Sequence, residues 1–397
     1  MRPIKNQSVP IERLTREPMH YFFGYYDIQP FSQSLDYHLC NEVPFCNRMQ
    51  SEHDIARLGM IRLYDNQFIP FAETTAWNFQ QGCMLQWNPA KPNDEVIYNV
   101  CLDQKYKAVI QNVHTGLRHI LPRPVATVDP LGRYALSINF SRVYWFRKGY
   151  GYAELPDPFE NELHPSEDGV FLMNLQTGEN KLILSIDELY HAAAEYFTGE
   201  EERNTWKFAI NHITFNTDGT RFVALLRGRG NKPGSNWRTY TFTANTDGSE
   251  SYLLLDEMAS HYHWRDPNHI MFYAKNFKEH KWGLYLFRDK THEFIKYDPY
   301  DTMPTDGHCN FSPDRKYILN DTYPIDGYRR LFLYDIDQDK TILLANILSV
   351  PTQELPHTDI RCDLHPRWSA DGSMISFDSV HEGHRHVYLI RTEDIPL

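Results

Sequence analysis

The chain has 397 residues, with 40 Lys and Arg against 52 Asp and Glu, and its formal net charge of −12 argues against nucleic acid or an anionic membrane as a partner. Its 41% hydrophobic and 23% charged residues belong to a globular domain, and no run approaches the apolar length of a transmembrane helix. Six cysteines (Cys40, Cys46, Cys83, Cys101, Cys309 and Cys362) form no CxxC pair, so buried reduced thiols are expected. The start, Met1-Arg-Pro-Ile-Lys-Asn-Gln, lacks the apolar core of a signal peptide. A cytoplasmic location is therefore expected, or a periplasmic or secreted one if a leader preceded this numbering.

In chain order, the first third repeats one pattern three times: an aromatic or apolar run, a polar turn, then a strand rich in β-branched and aromatic residues. The run His20-Tyr-Phe-Phe-Gly-Tyr-Tyr-Asp27 leads through a turn into Tyr37–Val43, Gly82–Pro89 leads into Glu95–Val100, and Ala126–Gly132 leads into Tyr134–Ser137. From roughly 145 to 206 the pattern is interrupted. There Ser185-Ile-Asp-Glu188 has the form of a capping box, and Leu189 to Phe197 reads as a short helix stopped by Gly199. So long an excursion is expected to form one wall of a cleft, with Tyr190, His191 and Tyr196 reaching substrate or packing on a blade edge.

The pattern then returns four times with a histidine added. His212, His261, His308 and His365 each stand three positions before an aromatic, Phe215, Trp264, Phe311 and Trp368. Their spacings of 49, 47 and 57 residues fit one four-stranded propeller blade with variable loops. A polar turn follows each, as in Asn216-Thr-Asp-Gly219 and Ser369-Ala-Asp-Gly372, and then a strand such as Arg221–Leu226 or Ile270–Tyr273. Val170–Leu175, Leu284–Phe287, Leu331–Asp335 and His386–Ile390 read as outer strands. Three blades and four make an all-β fold, a seven-bladed β-propeller over 1–397 as a single domain, with a partly helical insertion between blades 3 and 4. Innermost strands border the central channel, so equivalent positions form a ring, and a ring of imidazoles at a channel mouth is a candidate metal or catalytic site. Five cations, Arg221, Arg227, Arg229, Lys232 and Arg238, fall within 18 positions and form either an anion-binding patch or a solvated hairpin.

The second half resembles the seven-bladed propeller polysaccharide lyases, the oligogalacturonate lyases and the related ulvan-lyase type, over about residues 200 to 397 and more diffusely before. The carriers are Asp363-Leu-His-Pro, Ala370-Asp-Gly and Phe377-Asp-Ser-Val-His-Glu-Gly383, which stand where that family has a His-Pro-His-Pro run, a turn and a strand ending in Ser-Asp-Val-His-Gly. Ser260-His-Tyr-His-Trp264 is similar to the run with the family's general base. That resemblance implies His261 as base, with His263 beside it as a substrate contact. Gly307-His-Cys-Asn-Phe implies His308 as a metal ligand, and Trp237-Arg-Thr-Tyr-Thr-Phe implies Arg238 as the arginine on the substrate carboxylate. The paired histidines become Asp363 and His365, and the family's glutamine ligand falls near Ile360, which cannot coordinate. His212, Cys362 and the opening Phe-Phe-Gly-Tyr-Tyr-Asp lean towards the ulvan-lyase side with its zinc. The implied metal set is thus His212, His308, Cys362, Asp363 and His365, holding a divalent ion: manganese, zinc or calcium.

What these resemblances imply is a lyase cleaving uronate-containing glycans by metal-assisted β-elimination, with an acidic oligosaccharide as partner. A neutral imidazole can take the C5 proton once a cation stabilises the neighbouring carboxylate. The alternative from another class is a non-catalytic propeller that binds acidic glycans or a protein on the same face. A serine-peptidase propeller is disfavoured, because no G-x-S-x-G occurs. Oligomeric state is not encoded in any of these motifs.

Overall fold

A computed structural model describes residues 5–6, 9–230, 236–256, 258–276 and 278–395. Its strands form seven antiparallel sheets of four, one of them extended by a fifth strand. Each sheet is a blade, and the seven innermost strands are His20–Phe22, Gln86–Trp87, Thr127–Val128, Lys207–Phe215, Ala259–Asp266, Asn310–Phe311 and Arg367–Trp368. The predicted seven-bladed β-propeller is the fold observed.

The blades pack face to face, so a strand within one is buried on both sides and loses the polar alternation of a half-exposed sheet. The second strand of blade 4, Arg221–Arg229, shows the division. Phe222, Ala224 and Leu226 join one apolar cluster with the third blade's Leu136 and Val170, while Val223 and Leu225 join another with blade 5's Ile270 and Phe272. Strand period alone sends alternate residues to opposite neighbours.

The ring closes through the N-terminal segment. Glu12–Arg13 forms the outermost strand of blade 7, with Glu12 opposite Leu389 and Arg13 opposite Tyr388. Leu14 behind it is buried, and Thr15 Oγ1 lies 2.9 Å from His386 Nδ1. Lys5–Asn6 adds a parallel fifth strand to Lys340–Leu348 of blade 6. The segments read from sequence as outer strands are third strands instead. The fourth strands, among them Asn180–Ser185, Phe294–Tyr297 and Lys340–Leu348, lie outside them, and the first two are partly exposed.

The excursion expected over 145–206 contains two strands of blade 3, Gly169–Asn174 and Asn180–Ser185, and so divides into two segments. The first carries the helix Phe140–Phe146. The second carries the helix Ile186–Ala193, which starts at the expected capping box: Ser185 and Glu188 each bond the other's backbone N–H. Among the described residues no helix is long and apolar enough to cross a membrane.

Two buried histidines, His38 and His386, and the half-buried His263 make the fold acid-sensitive. Burial pushes His38 and His263 down to about 3 and His386 to about 4, from an ordinary 6.5. The unfolded chain therefore takes up protons first as pH falls, and stability, complete above about 6.5, declines progressively towards pH 3. Asp27, pushed up to about 6 by burial, and Asp168, also raised by burial, work the other way but are fewer than the lowered histidines. A urea midpoint that falls steadily from pH 7 to pH 4 is the expected result. A midpoint flat across that range contradicts the burial of these imidazoles in neutral form.

Candidate functional site

The site is built on a plug in the channel. After the first inner strand, Gly24 takes φ +136°, and a Cβ there would lie 2.7 Å from the Gln81 carbonyl oxygen. Only glycine fits so tight a turn. Arg367, buried and ion-paired with Asp378 at 3.0 Å, donates to the carbonyls of Gly24 and Tyr25 and fixes it. Tyr25 and Tyr26 thereby enter the channel, where the Tyr26 hydroxyl donates to the Tyr262 carbonyl at 2.7 Å.

The four histidines of blades 4 to 7 gather on this plug. Ring centroids are 6.4 Å apart for His212 and His261, 4.1 Å for His261 and His308, and 4.2 Å for His308 and His365. Tyr25 stacks on His212 at 4.9 Å, and Tyr26 lies 5.3 Å from His308. The convergence uses strained backbone. His212, at a bulge in its strand, and His365 have φ of +55° and +44°, a left-handed conformation costing about 1–3 kcal/mol for a side chain of this shape.

Three residues form a compact donor group. The ligand-capable atoms of His308, Asp363 and His365 all lie within 4.8 Å of one another, and all three residues are buried. The His308 N–H at Nδ1 faces both oxygens of Asp321, at 2.8 and 3.0 Å, which leaves Nε2 as a lone-pair donor without a partner. Gly307 permits this approach, since a Cβ there would lie 1.8 Å from the Asp321 carbonyl oxygen. Both ring nitrogens of His365 are buried without a partner, and burial above all holds that imidazole well below its ordinary value. Burial would raise the Asp363 carboxyl, but Arg361 and Arg329 outweigh it and keep the group ionised. Arg329 Nη2 is 2.7 Å from Oδ1. Arg361 Nη2 is 2.7 Å from Oδ2 as an ion pair outside hydrogen-bonding geometry, so Oδ2 keeps a lone pair open. Orphaned imidazole nitrogens beside an ionised carboxylate are a donor set for a divalent cation.

Beyond this group, on the far side of His261 and Arg361, opens a cleft of about 1000 Å³. On its wall His261 Nδ1 lies 3.0 Å from Asp306 Oδ1, so the carboxylate orients the ring and leaves Nε2 as acceptor. Burial is the main reason this imidazole titrates below 6.5, partly offset by Asp306. Arg227 lines the same cleft, stacked 4.6 Å over Trp237. Its Nε has no partner, no carboxylate pairs with it among the described residues, and burial lowers it to about 10. Arg147, Arg229 and Arg361 complete a cationic wall, with Tyr323 held protonated by burial.

Several expected contributors lie elsewhere. Arg238 pairs in register with Gly228, on the opposite face of blade 4 from Arg227 and Arg229, and donates to the Asp256 carbonyl at 3.1 Å. It is absent from the cleft lining. Arg221 is buried against Asp289 at 2.6 Å, and Lys232 lies outside the described residues. His263, two residues beyond His261, lines a separate cavity of about 280 Å³ with Asp27, Trp264 and Arg315. Tyr190 stacks on His164 at 3.8 Å and donates to the Arg203 carbonyl at 2.8 Å, holding the helix to its blade rather than facing the cleft. His212 stands in the ring but outside the donor group, packed on Tyr25. The Cys362 thiol also lies outside it, points to the Asp363 carbonyl at 3.8 Å, and is pushed up to about 12 by burial, so it remains a thiol.

Reading the sequence missed Asp306, Asp321, Tyr323, Arg329 and Arg361 as site residues. Asp306 stands two residues before His308 and was the one within reach of the motif. The others come from a second strand (Asp321), a third strand (Arg329) and loops, where spacing carries no signal.

No family model and no curated protein matches the chain. Among solved structures, an oligogalacturonate lyase from Vibrio parahaemolyticus superposes over 97% of this chain and 94% of its own, with TM-score 0.64 and 13% identity. An oligogalacturonate lyase in complex with manganese covers 96% and 93%, with TM-score 0.65 and 13% identity. The chain has the oligogalacturonate lyase fold. At this identity the likeness concerns the fold, so chemistry must be argued from the side chains.

Proposed function

We propose that this protein is a polysaccharide or oligosaccharide lyase, cleaving uronate-containing chains by β-elimination in the cleft above the histidine ring. The observation that carries this reading is Arg227: a buried guanidinium with no carboxylate partner among the described residues, in one cleft with the His261–Asp306 pair. A buried charge lacking a partner is costly, and the missing partner is supplied by an anionic substrate.

The uronate carboxylate pairs with Arg227, which spreads the charge that develops when the C5 proton leaves. His261 Nε2 takes that proton, and the positive ring is stabilised by Asp306. The C5 electron pair becomes the C4–C5 double bond as the bond from C4 to the leaving oxygen breaks. The leaving oxygen takes a proton from Tyr323, a protonated phenol on the same wall, or from water.

His308, His365 and Asp363 would hold a divalent ion behind the cleft wall, next to His261 and Arg361, and when bound it would supply Lewis-acid stabilisation of the uronate carboxylate. Two imidazoles and one carboxylate suit a first-row ion such as manganese better than calcium, which takes oxygen ligands. Asp321 orients His308, so Asp321→Asn should weaken metal affinity by about 10- to 100-fold. Titration of the metal-free protein with manganese measures it, and unchanged affinity contradicts the donor assignment.

Incubation with a panel of oligouronates and a divalent ion, followed by ultraviolet absorbance, tests the function. Release of a conjugated unsaturated uronate is expected. Binding of the same oligomers with no absorbance change would indicate a glycan-binding propeller instead.

A further inference from the structure

Trp282 is 42% exposed, the one tryptophan so placed among the described residues. It opens the third strand of blade 5, Trp282–Arg288, opposite Lys275. Its indole lies flat against Tyr273, with ring centroids 5.4 Å apart and an interplanar angle of 17°. Tyr273 thus fixes the ring from one side, Lys275 Nζ lies 5.9 Å from its centroid, and part of the indole is left exposed. An indole held in one orientation offers a flat apolar surface that a ligand can cover.

The position of this face is informative. Trp282 and Tyr273 line the cleft with His261, and the same pair lines an adjoining cavity of about 410 Å³, with Pro304 and Thr305 common to both. The indole therefore stands where the cleft continues past the reacting centre. The carboxylates of the adjoining cavity are already engaged: Asp301 with Lys296 at 2.6 Å, and Asp298 with the N–H groups of Thr302 and Met303 at 3.0 and 2.7 Å. Their charge is partly met, so a further sugar is not turned away by bare anions.

We propose that the Trp282–Tyr273 stack is a distal sugar-binding platform, and that the substrate is an oligosaccharide running from His261 across the indole into the adjoining cavity. This rests on reading the cleft as a glycan site. A pyranose offers an apolar C–H face to the indole and hydroxyls at its edges, which is the pairing an amphipathic aromatic wall takes. Discrimination by chain length follows, because only a chain longer than the reacting unit reaches the platform.

The test compares wild type, Trp282→Ala and Trp282→Tyr on oligouronates of increasing length. For wild type, kcat/KM rises with length. In Trp282→Ala the ratio of long to shortest substrate falls by about tenfold, and Trp282→Tyr restores most of it. A ratio unchanged in Trp282→Ala overturns the platform. Calorimetric binding of the same series to His261→Ala, with and without Trp282→Ala, separates the platform from the lyase reading. Affinity that rises with length and depends on Trp282 supports the platform even if no chain is cleaved, and affinity independent of Trp282 sinks it even if cleavage occurs.

Discussion

On the proposed lyase reading, His261→Ala is expected to lower kcat by roughly a hundred- to ten-thousand-fold and to leave the affinity for a divalent ion unchanged. The two outcomes separate because His261 lies outside the donor group of His308, Asp363 and His365, although its ring is 4.1 Å from that of His308. On the lyase reading only its Nε2 is free to take the proton, since Nδ1 is committed to Asp306 at 3.0 Å. Asp306→Asn should then produce a smaller loss in kcat, because it removes orientation and charge stabilisation but leaves the acceptor. Metal content by atomic spectroscopy and kcat on an oligouronate, measured on one preparation, give both readings. Full activity in His261→Ala removes the base from the account. Loss of the metal as well would make the residue a structural member of the ring.

Arg227→Met is expected to reduce kcat/KM by about a hundred- to a thousand-fold. Methionine keeps most of the packing under Trp237, so the change removes the charge rather than the shape. Arg227 is buried and lacks a carboxylate partner, so the free protein should become no less stable, and a lowered melting temperature would point to a structural role instead. The diagnostic readout is discrimination. Wild type should favour a free uronate over its methyl ester, and Arg227→Met should lose most of that preference. Retention of the preference would move the carboxylate to Arg147, Arg229 or Arg361, which share the wall.

The fold was legible because a propeller writes itself as a period. Four histidines in register before Phe215, Trp264, Phe311 and Trp368 marked four inner strands, and their rings do converge in space. The capping box at Ser185 and Glu188 was legible for the same reason, since all its partners are local. What failed was the face of a residue. Arg238 and Arg227 sit in one basic stretch, yet cross-strand register places Arg238 beside Gly228 and away from the cleft. His263 looked like a companion of His261 but lines the cavity with Asp27 and Arg315. Asp321, Arg329 and Arg361 were invisible because they reach His308 and Asp363 from elements whose packing no motif records. The closing strand Glu12–Arg13 is too short to have a pattern at all.

The central claim is that this cleft performs β-elimination on an acidic sugar. Its most direct test is product analysis of a defined oligouronate incubated with the purified protein and manganese. The account predicts a product of unchanged total mass balance, with no water added, bearing a conjugated C4–C5 double bond. Products that have gained water, or an oligomer that binds in the cleft and returns intact, would contradict it.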